Sequence, residues 1–185
     1  MNSCNVSALH TYPVRKPMQD GVAATRLSLA EVPSETLRRM HDYWQSKCRG
    51  EQLPGRKDID PLDFPWALGL VCLLDVERYP LAFRYRLDGT TIAERYGADL
   101  TGRTIEDVKP DFQAALLRRH FAEVVDSGRP TAYRITLRYG GQARTYIRLA
   151  LPLSRDGTTV DMILTVSDRL TPEYEDDTGS DQLFR

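Results

Sequence analysis

Two groups of residues have side chains able to do chemistry, and their spacing decides what each is for. The stretch LPGRKDIDPLDFPWAL, residues 53–68, holds Asp58, Asp60 and Asp63 among Pro54, Pro61 and Pro65. Clustered carboxylates suggest a metal loop. A calcium loop of the EF-hand kind needs alternating oxygen ligands, a Gly at its sixth position and an acid at its twelfth. Counted from Asp58 the sixth residue is Asp63 and the twelfth is Gly69, so the loop fails at both. The prolines oppose a regular helix or central strand. Asp60 and Asp63 flank Pro61, where each can bond nearby amides and open a short turn. Turn chemistry in a stiff connector is the expectation, with a magnesium site as its rival. The second group is the cysteines. Cys4, Cys48 and Cys72 are far apart and odd in number, which gives neither a disulfide framework nor a CxxC site. Cys72, inside GLVCLLDV, reads as a small buried apolar residue.

Enzyme signatures are absent. There is no GxSxG, no HExxH, no Gly-rich phosphate loop before a helix, and no Cys–His spacing that suggests a nucleophile pair. The acids gather in connectors and at the C-terminus rather than on apolar-facing strand positions. A protein that is not an enzyme is expected, with a small-molecule enzyme as an alternative.

The totals agree with a binding protein. A chain of 185 residues with 41% hydrophobic content suffices for one ordinary domain. A formal net charge of −1 gives no general pull toward nucleic acid. No apolar run approaches the roughly 20 residues of a membrane span. The N-terminal MNSCNVSALHTYPVRKP lacks a signal peptide's apolar core. A cytoplasmic location is expected, and neither membrane nor nucleic acid is the expected partner.

Several elements must position any site. Residues 1–25 lack periodicity and are expected to be disordered; residues 171–185 read as an acidic flexible tail. In VPSETLRRMHDYWQSKCRG, Ser34 can cap a helix, and Leu37, Met40, Trp44 and Cys48 share one stripe up to Gly50. That helix and the Asp/Pro connector make a unit over residues 26–67. GLVCLLDVE suits a strand buried on both faces. LAFRYRLDGT alternates, with Phe83, Tyr85 and Leu87 on one side. Short helical turns follow, punctuated by Gly97, Gly102 and Pro110. Asp111 can cap the helix DFQAALLRRHFAEVVDSG, whose apolar face is Leu117, Phe121, Val124 and Val125. Three strands close the chain: TAYRITLRY, ARTYIRLALPL with Ile147, Leu149 and Leu151 on one face, and TTVDMILTVSD with Val160, Met162, Leu164 and Val166 on one side. Gly140-Gly141 and Asp156-Gly157 mark their hairpins. One antiparallel sheet with helices grouped on one face, an α+β fold, fits this order.

That order resembles the PAS-domain superfamily. FRYRLDGTTIAERYGADLTGRTIEDV is similar to the PAS stretch where the second strand gives way to short helices around a Gly and an LTGR phrase. YWQSKCRGEQLPGRKDIDPLDFPWALGLVCLLDVE together with FRYRLDGT resembles a bacterial group of short, stand-alone PAS proteins, formerly a domain of unknown function. The resemblance covers about residues 34–170. It implies a five-stranded antiparallel sheet of order 2-1-5-4-3 over residues 68–170, helices on one face and an extra N-terminal helix. It also implies a sensory or signalling module without a fused output domain. Such a module binds a small-molecule ligand, a signalling protein partner, or both.

The resemblance gives several residues candidate roles. Tyr85, Leu87, Arg103, Ile105, Phe121, Tyr133 and Leu149 are expected to line a ligand pocket between sheet and helices; the alternative is that they fill the core. From their stripe, Leu37, Met40 and Trp44 are expected at a homodimer interface, packed on another copy's sheet; the alternative is that they pack on the chain's own sheet. His120 lies on the helix that carries the axial ligand of haem-binding PAS sensors, and imidazole can ligate iron. A haem-bound gas or redox sensor is therefore the alternative. Against it, LLRRHFAEVVDSG lacks the haem sensors' pattern, and His120 stands at the edge of the apolar face, so a solvent-facing or partly buried side chain is expected. No particular cofactor is implied, and LTGRTIEDV has no Cys for a flavin photosensor. Arg84, Arg86, Arg134, Arg138, Arg144 and Arg148 repeat at strand spacing and are candidates for one basic sheet face.

Overall fold

Ser34 closes the first helical turn: its side chain accepts from the Leu37 amide at 3.2 Å, and its Oγ donates to Asp168 at 2.6 Å. The helix it starts, α1 (Glu35–Lys47), lies on a sheet in the computed structural model, which describes residues 19–170. Six strands form that sheet: β1 (Gly21–Leu27), β2 (Val71–Glu77), β3 (Ala82–Leu87), β4 (Thr131–Tyr139), β5 (Gln142–Leu153) and β6 (Met162–Arg169). Their spatial order is β1-β4-β5-β6-β2-β3, with every neighbouring pair antiparallel. Two further helices, α2 (Thr90–Tyr96) and α3 (Asp111–Ser127), follow β3.

The expected five strands become six. Gly21–Leu27 pairs along the whole of β4, from Gly21 opposite Arg138 to Leu27 opposite Ala132. Much of this strand falls in the segment expected to be disordered. Its Val22, Ala24 and Arg26 alternate with Ala23, Thr25 and Leu27, but small residues carry too weak an apolar signal to announce a strand. The other five strands run β3-β2-β6-β5-β4 from the far edge inward. Residues 1–18 and 171–185 lie outside the described residues, so the rest of the disordered segment and the acidic tail are not described.

Helices cover both faces of the sheet rather than one. On one face α1 and the connector bury Leu37, Met40, Trp44, Ile59 and Phe64 against Ile147, Leu149, Leu151, Leu153, Met162, Leu164 and Val166. On the other, α3 and the turns before it bury Leu100, Ile105, Val108, Leu117, Phe121 and Val124 against Cys72, Leu74, Phe83, Tyr85, Ala150 and Ile163. Strands β5 and β6 send successive side chains to opposite faces, and each face meets apolar cover. Val160 joins the α3 side, away from Met162 and Leu164, because β6 starts only at Met162.

The connector folds through three 3-10 turns, at Arg56–Asp58, Pro61–Asp63 and Pro65–Leu70. Its aspartates are occupied by turn bonds. Asp58 accepts from the Gly55 amide at 2.8 Å and Asp60 from the Leu62 amide at 2.9 Å, while Asp63 pairs with Lys47 of α1 at 3.1 Å. Gly140 and Gly141, both at positive φ, turn β4 into β5. Asp156 and Gly157 sit in a longer loop between β5 and β6, where Asp156 accepts from the Thr158 and Thr159 amides at 2.8 and 2.7 Å. These bonds hold its carboxyl well below the usual range. Helix α3 takes Pro110 as its cap residue; Asp111, expected there, is the first helical residue and pairs with Lys109.

Candidate functional site

A cavity of about 180 Å³ opens between the sheet and the α2–α3 cover. Its inner wall is apolar and aromatic: Tyr85 of β3, Cys72 of β2, Leu100, Val108, and Leu117 and Phe121 of α3. Phe121 meets Phe83 edge-on at 5.5 Å, which fixes the ring that forms the floor. The sheet supplies the polar wall. Tyr146 and Arg148 of β5 share a face with Thr165, Ser167 and Arg169 of β6, and all five border the cavity.

The charge on this wall has one sign. Among the described residues Arg95, Lys109, Arg144, Arg148 and Arg169 line the cavity, and no Asp or Glu does. Lys109 is paired with Asp111 at 2.5 Å, and Arg144 donates to the Arg95 carbonyl at 2.8 Å. Arg148 is different. It is 6% exposed and has no carboxylate partner among the described residues. Its Nη2 donates to His120 Nδ1 at 2.9 Å, and its guanidinium lies 5.1 Å from the centre of the Phe121 ring.

Behind this wall a chain of contacts reaches the edge strand. His120 is 1% exposed and stacks on Tyr133, with ring centres 3.6 Å apart and planes 13° from parallel. Arginine only donates, so Nδ1 accepts and the neutral ring carries its proton on Nε2. That Nε2 is buried with no hydrogen-bond partner among the described residues. Burial, then the charges of Arg148 and Arg119, push the imidazole down to about 3. The Tyr133 hydroxyl donates to Glu123 of α3 at 2.5 Å, and Glu123 pairs with Arg26 of β1.

The residues expected at the pocket part company. Tyr85 and Phe121 line the cavity. Ile105 is fully buried in the core beneath it, without reaching its wall, and Tyr133 lies one contact behind, under His120. Leu149 faces α1, because Arg148 and Ala150 take the cavity side of β5. Leu87 also leaves the site. A bulge at Leu73/Leu74 pairs Leu87 with Leu73 while Leu74 pairs with Tyr85, which turns Leu87 away from the Phe83–Tyr85 side. Arg103 is exposed, and its bonds are backbone ones: its carbonyl accepts from the Tyr85 amide and its amide donates to the Leu100 carbonyl, both at 2.9 Å.

The stripe expected at a dimer contact is taken up by the chain's own core. Leu37 and Met40 are fully buried, Trp44 is 6% exposed, and the Trp44 indole donates to the Pro152 carbonyl at 2.8 Å. The solvent-facing or partly buried His120 expected from its place at the edge of the apolar face is in fact enclosed. The six strand arginines do not share a face either. Arg84 and Arg86 pair with Glu77 and Asp75 on the side opposite Tyr85, whereas Arg144 and Arg148 border the cavity.

Sequence reading missed Tyr146, Arg148 and Leu117 as wall residues. Arg148 carried a signal, since it interrupts the apolar run of β5, but alternation alone marked it as solvated. The thiol of Cys72 donates to Asp88 at 3.0 Å, and burial pushes it far up, so it stays protonated. Asp88 also accepts from the Leu100 amide at 3.2 Å, which ties the end of β3 to the loop over the cavity.

An antiparallel sheet holding a cavity under a helical cover defines an α+β module. The sequence model of the PAS domain family matches residues 32–166, and the chain belongs to that family. No curated protein matches the chain. The crystal structure of a domain of HTR-like protein from Haloarcula marismortui ATCC 43049 is similar at TM-score 0.40 and 21% identity, over 55% of this chain and 98% of that chain. Among the described residues no helix is long and apolar enough to cross a membrane.

Proposed function

We propose that this PAS protein is a non-catalytic sensor in the bacterial cytoplasm that binds a small molecule between its sheet and α3. The cavity carries this reading. It combines an aromatic, apolar wall with a few converging polar groups, the usual composition of a ligand site. Its volume of about 180 Å³ falls below the roughly 300–1,000 Å³ of sites for drug-sized ligands, so a compact metabolite of one ring or a short chain fits best. Turnover has little to work with. Among the described residues the wall offers no carboxylate and no histidine for proton transfer, and its Cys72 thiol is held in the protonated form.

The haem alternative draws no support from His120. Its ring is not part of the cavity wall, one face is covered by Tyr133, and Nδ1 is held by Arg148. The signal would leave through the surface, to a signalling partner or a second copy of the chain. The exposed Leu68 and Leu87, which border one groove at the connector, support that part of the reading better than α1 does.

Native mass spectrometry of the purified protein tests the proposal. A discrete small mass, lost on mild activation and absent from a variant with the cavity filled at Leu117→Trp, is the expected result. No bound mass, and no stabilisation of the wild type by any member of a chemically varied metabolite panel, would leave a closed scaffold in its place.

A further inference from the structure

Among the described residues, Arg148 on the cavity wall is a buried guanidinium without a counter-charge. Removing a charge from water costs several kcal/mol per ion after relaxation, so buried charges are normally paired. Arg148 has one hydrogen bond, to a neutral imidazole, and no acid within ion-pair distance among the described residues. The Arg148 side chain lines the cavity. Two phenols flank it. Neither the Tyr85 nor the Tyr146 hydroxyl has a hydrogen-bond partner among the described residues, and both rings border the same space. Burial raises both phenols and the Arg148 charge opposes it, so they are neutral donors within reach of that guanidinium's field.

Resting on the reading of the cavity as a ligand site, we propose that its ligand is a small organic carboxylate with an apolar body. The carboxylate would sit against Arg148, with the Tyr85 and Tyr146 hydroxyls donating to it. A planar carboxylate matches the guanidinium fork with two parallel bonds. The apolar body would lie on Phe121, Leu117 and Leu100, where a phosphate would find nothing to bond. Arg95 and Arg169, which line the same cavity and are less buried than Arg148, would draw anions inward. The ligand would supply the charge that Arg148 lacks, so binding and stabilisation of the α3 side would be one event.

The test compares acid and amide pairs of the same shape: benzoate with benzamide, and hexanoate with hexanamide, plus inorganic phosphate. Calorimetry and melting temperature are read on the full chain. At least one acid should bind roughly tenfold or more tighter than its amide, and Arg148→Met should remove that preference. Tyr85→Phe, which deletes only a hydroxyl, should weaken the acid several-fold, and it decides the matter if Arg148→Met does not fold. Amides binding as well as acids, or an unchanged acid affinity in both variants, would overturn the carboxylate while leaving a ligand cavity in place. Phosphate binding with no response to the organic acids would overturn it too. If neither acids nor amides bind, the carboxylate and the ligand cavity both fall.

Discussion

The two faces of the sheet are built to different standards. On the α1 face, the covering stripe and the strands are apolar throughout, and the one buried polar side chain of the helix, Trp44, has its partner at 2.8 Å. On the α3 face, Arg148 and His120 are buried at or behind an open space, and His120 Nε2 has no hydrogen-bond partner among the described residues. Close-packed apolar contact gives stability, whereas unmet polar groups cost it. The first face holds the fold together. The second gives up stability around its cavity.

Perturbing each face shows the difference. The largest effect belongs to the closed one. Trp44→Ala should cost about 3–5 kcal/mol, the usual loss for a buried aromatic, read from chemical denaturation. The variant should not change self-association. A loss under 1 kcal/mol would mean that α1 is not part of the core.

Acid should strike the other face. His120 is held down to about 3 in the folded chain against about 6.5 when unfolded. Below about 6.5 the unfolded chain takes up a proton that the folded chain refuses. Stability from this group is therefore complete above that pH and falls as pH drops toward 3. His120→Gln should flatten much of the fall between pH 7 and pH 4.5. Identical pH profiles for the two proteins would place the imidazole in a wetter environment than it has here.

Leu117→Ala compares the faces directly, because this side chain already borders empty space. Its loss should be near the lower end for Leu→Ala, about 2 kcal/mol, and smaller than that of Leu37→Ala on the closed face. Equal losses would say that the cavity is filled in the folded protein. The smallest change is Tyr133→Phe, which frees Glu123 and loosens the link to Arg26 of β1. About 1 kcal/mol is expected for one hydrogen bond, together with faster amide exchange along Gly21–Leu27 than along β6.

Local signals were legible where one element decides the outcome. Ser34 caps α1, the Leu37–Trp44 stripe is its buried side, Gly140-Gly141 turns a hairpin, and the aspartates of the connector make turns. Period and turn chemistry act within a few residues, so the sequence displays them. The site was legible only in part. Tyr85 and Phe121 were found because they sit on apolar periods that face the α3 cover.

What escaped depends on who faces whom. With both faces of the sheet covered, the apolar alternation of β5 no longer says which parity meets which helix, so Leu149 exchanged places with Arg148. A single bulge between β2 and β3, which skips Arg86 opposite Leu73 and Leu74, reversed the facing of Leu87. The α1 stripe looked the same whether it met its own sheet or another copy. The sequence by itself determined the elements, their turns and the PAS order of the later strands and helices, because these follow from neighbours along the chain. Only the tertiary structure decided that β1 joins the sheet, that α1 closes one face, and that Arg148 lies buried on the other. The first two outcomes rest on contacts between residues more than a hundred positions apart, and the third on a strand arginine meeting a helix histidine 28 positions away; in each, burial and charge are shared between segments that carry no mark of each other.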